Sequence, residues 1–116
     1  MTRQTTTLFR LAEYRQRSRT IYFDRSELNQ LLALYSRHVI RGEWRDYAID
    51  HRDGFALFSI FRHSRESPTF TIMKSASGGD RHGEFTVLCG RHKVSSAKTL
   101  TDALKVFRTR PSLVGT

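Results

Sequence analysis

Cysteine, proline and lysine are scarce in this 116-residue sequence, which holds one Cys, two Pro and four Lys. A single cysteine excludes an internal disulfide framework, so the fold must be held by an apolar core. Few prolines, together with one Trp, four Tyr and eight Phe, exclude a wholly disordered chain. No stretch approaches the ~18–20 apolar residues of a membrane span, and nothing resembles the apolar segment of a secretory signal. The length suits one domain, which buries roughly 65% of its unfolded surface and needs no metal staple.

Acidic residues are also few, 11 against 20 Lys and Arg, for a formal charge of +9. That excess is unevenly placed. Residues 1–20 carry Arg3, Arg10, Arg15, Arg17 and Arg19 against Glu13, residues 21–80 balance to zero, and residues 81–110 carry the rest. A positive surplus favours phosphate-rich or acidic partners through long-range attraction.

Residues 1–18 read as a disordered basic arm. Their Leu8, Leu11 and Ala12 make too short a stripe to stand alone in water. Residues 19–110 read as a single domain and residues 111–116 as a flexible tail. Thr20–Phe23 suggests a short strand. Asp24 then fits an N-cap, with Glu27 completing a capping box. The spacing of Leu28, Leu31, Leu32, Tyr35 and Val39 predicts a core-facing helix over 25–41, closed by Gly42.

Arg45–His51 and Phe55–Arg62 alternate around Asp53-Gly54, a strong hairpin signal. With Asp53 and Gly54 as the turn, Ile49 faces Phe58 and Tyr47 faces Ile60. Phe55, Leu57 and Phe61 then share the opposite face, either covered or offered to a partner. Further strands are expected at Thr69–Lys74, Glu84–Cys89 and around Val94, with Ser75–Gly83 as a flexible loop. Thr99 caps a second helix bearing Leu100, Ala103, Leu104 and Phe107, which Pro111 stops. The order predicts an α+β fold: an antiparallel sheet of about five short strands with two helices packed on one face.

Known catalytic and ligand motifs are absent. The run from Asp53 to Ile60 misses the RNA-recognition signature, because Asp53 replaces a basic residue and Leu57 and Ile60 replace aromatics. Cys89-x-x-His92 is half a zinc spacing without a second pair. Cys89 instead belongs to an apolar strand face, beside a surface histidine, where a thiol is usually inert. Gly78-Gly79 lacks the Lys-Ser/Thr ending of a phosphate loop and precedes a strand. The sequence therefore implies no cofactor, no metal and no enzyme chemistry.

Glu43-Trp44-Arg45-Asp46-Tyr47, with Asp50 and Arg62 nearby, is the conspicuous constellation. In one reading Trp44 is a stacking wall, and Arg45 and Arg62 are forks for a carboxylate or phosphate beside Asp46. In the other, Trp44 plugs a helix–sheet corner and each Arg pairs with Asp46, Asp50 or Glu43. The neutral charge of residues 21–80 favours the second reading.

Phe23-Asp24-Arg25-Ser26-Glu27-Leu28, Gly42 through Asp50 (GEWRDYAID), Phe58-Ser59-Ile60-Phe61-Arg62 and Glu66-Ser67-Pro68 carry a resemblance. Over about residues 23–110 the chain resembles an uncharacterised family of small alphaproteobacterial proteins grouped only as a domain of unknown function. The resemblance implies a bacterial, cytoplasmic protein and transfers no activity, ligand or catalytic residue.

The expectation is a non-enzymatic binding module with weak, salt-sensitive affinity for nucleic acid. Its electrostatic contacts would come from Arg10, Arg15, Arg17, Arg19, Lys98, Lys105 and Arg108. An acidic protein is the other partner this charge suits. The alternative is a protein-interaction or homodimeric module using Phe55, Leu57 and Phe61.

Overall fold

Asp24 sets the start of the first helix by satisfying amides that the helix itself leaves free. In the computed structural model, α1 spans Arg25–Ile40. The Asp24 carboxylate accepts from the Glu27 amide at 2.8 Å, and Glu27 Oε1 accepts from the Asp24 amide at 2.8 Å, completing the expected capping box. The structure describes residues 21–63, 67–77 and 80–109, without the side chains of residues 77, 80–83 and 109. The expected arm at 1–18 and tail at 111–116 lie outside the described residues.

The helix ends where Gly42 adopts φ +78°. Its amide donates to the Val39 carbonyl and the Glu43 amide to the His38 carbonyl, both at 2.8 Å. Those two bonds form a Schellman motif, which needs a residue tolerant of the left-handed conformation at this point. The buried stripe differs from the expected one. Leu31, Leu34 and His38 are buried, whereas Val39 is exposed. Successive leucines made two registers equally apolar, and His38 decides between them because it has a partner beyond the helix end.

Five strands follow in a meander, β1 (Asp46–Arg52), β2 (Phe55–Phe61), β3 (Phe70–Ser77), β4 (Asp80–Cys89) and β5 (His92–Ala97). They pair antiparallel in that spatial order. The Asp53-Gly54 turn gives the expected register, with Tyr47 opposite Ile60 and Ile49 opposite Phe58. Opposed residues share a face, so three ranks form across the sheet. They are Tyr47, Ile60, Phe70 and Cys89; then Ile49, Phe58, Ile72 and Val87; then His51, Ala56, Lys74 and Phe85. Val94 is the extra residue of a bulge, since Val87 pairs with Ser95 and Leu88 with Lys93.

Three local expectations are corrected. Ile21–Phe23 join no strand ladder; Phe23 instead enters the core. The segment 75–83 is not a loop throughout, because the β3–β4 ladder runs on through Ser75–Glu84 to Ser77–Asp80. Backbone pairing there is indifferent to the polar side chains that suggested a loop. The last helix is split into α2 (Leu100–Ala103) and α3 (Val106–Thr109). Bonds from Lys105 to Asp102 and from Phe107 to Leu104 tighten the chain between them. That tighter winding turns Leu100, Ala103 and Val106, spaced by three, onto one side.

Both helical layers pack on the Tyr47 end of β1 and on the β2–β4 members of the ranks. Ile49, expected on the core side with Tyr47, Phe58 and Ile60, is instead 40% exposed, because the edge strand runs out beyond the helices. Trp44, Phe58, Phe70, Leu31, Ile60, Ile72 and Val87 are the largest fully buried side chains. Each such residue contributes about 1.5–3 kcal/mol relative to exposure. The fold is thus α+β, with a five-stranded antiparallel sheet and the helices on one face.

One charge lies among these apolar ranks. Lys74 reaches from β3 to the start of α1, where Nζ donates to Glu27 Oε1 at 2.7 Å and to the Tyr22 carbonyl at 2.9 Å. Both side chains are about six-sevenths covered, at 16% and 15% exposure, so screening by water is limited. The pair ties the capping box to the sheet. Lys74→Met leaves Glu27 without its cation and is expected to lower unfolding free energy by about 1–3 kcal/mol. Urea unfolding followed by circular dichroism measures it; an unchanged midpoint would show that the tie contributes nothing.

Candidate functional site

The GEWRDY segment acts first as a corner. Once Gly42 has turned the chain, the Glu43 side chain folds back so that Oε1 meets His38 Nδ1 at 2.5 Å. Nδ1 is the proton-bearing nitrogen in this pairing, because a carboxylate can only accept. His38 is 3% exposed and needs that partner to be buried at all. Trp44 then drops beneath the helix, 2% exposed, and stacks on the His38 ring at 4.1 Å and 22°. Phe107 meets Trp44 edge-on at 5.6 Å, and Phe70 lies at 5.8 Å. The Trp44 Nε1–H has no acceptor among the described residues.

The chain leaves the corner by joining the sheet. The Arg45 amide donates to the Phe61 carbonyl at 2.9 Å, and Asp46 Oδ1 accepts from the Tyr47 amide at 2.8 Å. Tyr47 stacks on Phe58 at 5.1 Å and meets the edge of Tyr35 at 4.8 Å. Burial, then the negative charge of Asp46 and the neighbouring Tyr47, hold the Tyr35 hydroxyl above its ordinary value of 10.0.

Of the four residues expected to form a recognition pocket, three are brought together. Trp44, Arg45 and Arg62 line one open depression of about 580 Å³ with Val39, Gly42 and His63. Asp46 is absent from its described lining. The expected carboxylate partners are committed elsewhere. Asp50 pairs with Arg52 at 3.1 Å, and Glu43 holds His38 and reaches Arg41 at 3.8 Å. Arg45 and Arg62 have no ion-pair partner among the described residues.

A second cavity, of about 500 Å³, opens on the other side of the same helix end. Arg37 of α1, the C-cap residue Arg41 and Arg108 of α3 border it, over walls that include Leu34, Leu104 and Phe107. Arg37 and Arg108 are exposed and have no acidic partner among the described residues. This groove was not singled out in the sequence. Arg37 and Arg41 looked like dipole-complementing residues of a last turn. Only the packing of α3 against α1 brings Arg108 to them, across a long sequence separation.

The other expected contacts are dispersed. Lys105 pairs with Asp102 at 3.0 Å. That hydrogen bond, and a second from Thr99, hold the Asp102 carboxyl below the usual range. Lys98 is exposed between β5 and α2, and it too has a partner. Arg10, Arg15, Arg17 and Arg19 lie outside the described residues. On the outer sheet face Phe55 is 39% exposed, Leu57 is half-buried and Phe61 only 8% exposed.

Cys89 is half-buried and faces His92 directly across the Gly90-Arg91 turn. Among the described residues no three His, Cys, Asp or Glu gather as a metal site. No described helix is long and apolar enough to cross a membrane.

The position of Tyr35 gives a pH dependence with a definite sign. A phenol raised above its unfolded value contributes stability that is intact below pH 10 and is lost as the pH rises through the folded value. Unfolding free energy is expected to fall as the pH rises above 10.0, and Tyr35→Phe to lessen that fall. Urea titrations of both proteins across this range check it; identical slopes would remove Tyr35 as the cause.

No curated protein and no solved structure matches the chain. A family model does, over residues 21–96, which covers α1, the corner and nearly all of the sheet. The expected kinship with an uncharacterised family is thereby shown: the chain belongs to the protein family of unknown function DUF2794.

Proposed function

We propose that this protein is a small, non-enzymatic module that binds nucleic acid weakly and in a salt-sensitive way through backbone phosphates. The observation that carries the reading is the ring of guanidiniums around the C-terminal end of α1. Arg37, Arg41 and Arg108 border one cavity, and Arg45 and Arg62 the other. Four of these five have no acid partner among the described residues, although residues 21–80 are neutral in sum. Arginine retains its charge and presents a planar fork suited to phosphate oxygens. The arginines at 10, 15, 17 and 19 add positive charge that a polyanion would meet at longer range. Backbone contacts of this kind position a polymer without reading its bases.

Fluorescence anisotropy with single-stranded and duplex oligonucleotides, across a salt series, tests the reading. Binding is expected at low salt, with log K falling linearly in log salt. The double change Arg37→Glu, Arg108→Glu is expected to reduce the slope by about 0.7–0.9 for each phosphate contact removed. Absence of binding at the lowest salt would overturn it, since electrostatic contacts are strongest there.

A second reading rests on the outer face of the sheet. Leu57 lies beside Met73 in register, with Phe55 one rank away and 39% exposed. Among the described residues the helices lie on the opposite face, so this apolar strip suits a protein partner or a second copy of the chain. A concentration-dependent dimer by light scattering, abolished by Leu57→Glu, is the expected result under this reading. A monomeric mass at high concentration would remove its homodimeric form.

A further inference from the structure

We propose that the groove between α1 and the α2–α3 segment is a binding site for a small organic phosphate, an apolar body carrying a terminal phosphate. This is a different class of ligand from the polymer considered above. The groove also has features that a polymer backbone does not require.

The first is its graded chemistry. Along α1 and its C-cap, Gln30, Leu34, Arg37 and Arg41 succeed one another on the groove side, and Thr101, Leu104 and Arg108 run beside them. Thr101 Oγ1 donates to Gln30 Oε1 at 3.0 Å, tying the two walls together at the end away from the arginines. Gln30 and Arg41 are eleven positions apart, a helix length of about 16 Å. One end is therefore polar and closed by a bond, the middle is apolar, and the other end holds three guanidiniums.

The second is the state of those guanidiniums. Arg41 lies 3.8 Å from Glu43, a loose pairing on a side chain 56% exposed. Glu43 is itself turned to His38. Arg37 and Arg108 thus bring two charges with no acid partner among the described residues, and Arg41 a third that Glu43 offsets only in part. A terminal phosphate carries about two negative charges at neutral pH and several acceptor oxygens, and it matches that surplus better than a carboxylate does.

The third is rigidity. His38 forms part of the floor, and Glu43 on one side and the Trp44 ring on another fix its orientation. Phe107, another wall, meets His38 at 6.3 Å and Phe70 at 5.0 Å, both edge-on. A floor anchored in the core does not have to be ordered on binding, which removes one cost of association. The volume, about 500 Å³, lies within the range of small-molecule pockets.

Titration of the full chain with 1-naphthyl phosphate, followed by side-chain Nε–H resonances of arginine in NMR spectra, tests the proposal. Inorganic phosphate and 1-naphthol serve as the separate halves of the probe, and 1-naphthoate as the carboxylate counterpart. Saturable shifts at Arg37, Arg41 and Arg108 are expected, with each half and the carboxylate binding at least tenfold more weakly. Arg37→Gln and Arg108→Gln, both exposed positions, are each expected to weaken binding at least fivefold. Arg45→Gln, on the other cavity, leaves it unchanged. Equal binding of inorganic phosphate or of the carboxylate would overturn the proposal. So would equal shifts at Arg45 and Arg62, or no saturation by 1-naphthyl phosphate at millimolar concentration.

Discussion

The contact between His38 and Glu43 is the constraint on which the rest of the molecule depends. A histidine on the core side of a helix is costly to bury without a partner. Its partner lies five residues on, past the helix end, and is reached only because Gly42 turns left-handed and the Schellman bonds reverse the chain. The same reversal sends Trp44 under the His38 ring and delivers Arg45 to the first bond of the sheet edge. One short segment therefore ends the helix, fills the core and starts the sheet. Tyr35, Tyr47, Phe70 and Phe107 pack outward from that point.

That architecture separates structural from available arginines. Glu43, Asp46 and Asp50 are all engaged locally, with His38, with the Tyr47 amide and with Arg52 respectively. None of them neutralises Arg45 or Arg62, as charge balance along the sequence had suggested. Glu43 is used to build the corner and Asp50 is held by Arg52 near the hairpin turn, and the Arg45 and Arg62 guanidiniums are left without an ion pair among the described residues. Two cavities at one helix end with positive rims follow from this arrangement. Trp44 is a buried plug, 2% exposed, that also borders the open depression.

Much of the frame was legible in the sequence because it is encoded locally. The Asp24 cap, the Gly42 stop, the Asp53-Gly54 turn and the alternation of Phe70 and Ile72 each fix an element through neighbours a few residues away. What was not legible depends on distant contacts. The closely spaced leucines at 31, 32 and 34 cannot by themselves say which side of α1 is innermost, and His38 settled it through Glu43. The split of the last helix has no breaker residue to announce it and follows from the need to bring Val106 and Phe107 onto the core. The groove was invisible for the same reason: Arg37 and Arg108 are neighbours only after folding. Lys74 followed the strand alternation inward, but its partner Glu27 sits 47 residues earlier.

The most direct test of this account is a double-mutant cycle of His38→Phe and Glu43→Gln, read by urea unfolding with the emission of Trp44. If the pair organises the corner, the coupling energy is about 1.5–3 kcal/mol, the range for a hydrogen bond to a charged group. Each single variant then also shifts Trp44 emission toward that of a more solvated indole. Losses that add within about 0.3–0.5 kcal/mol, with emission unchanged, would contradict the account and make His38 and Glu43 independent residues of an otherwise self-sufficient core.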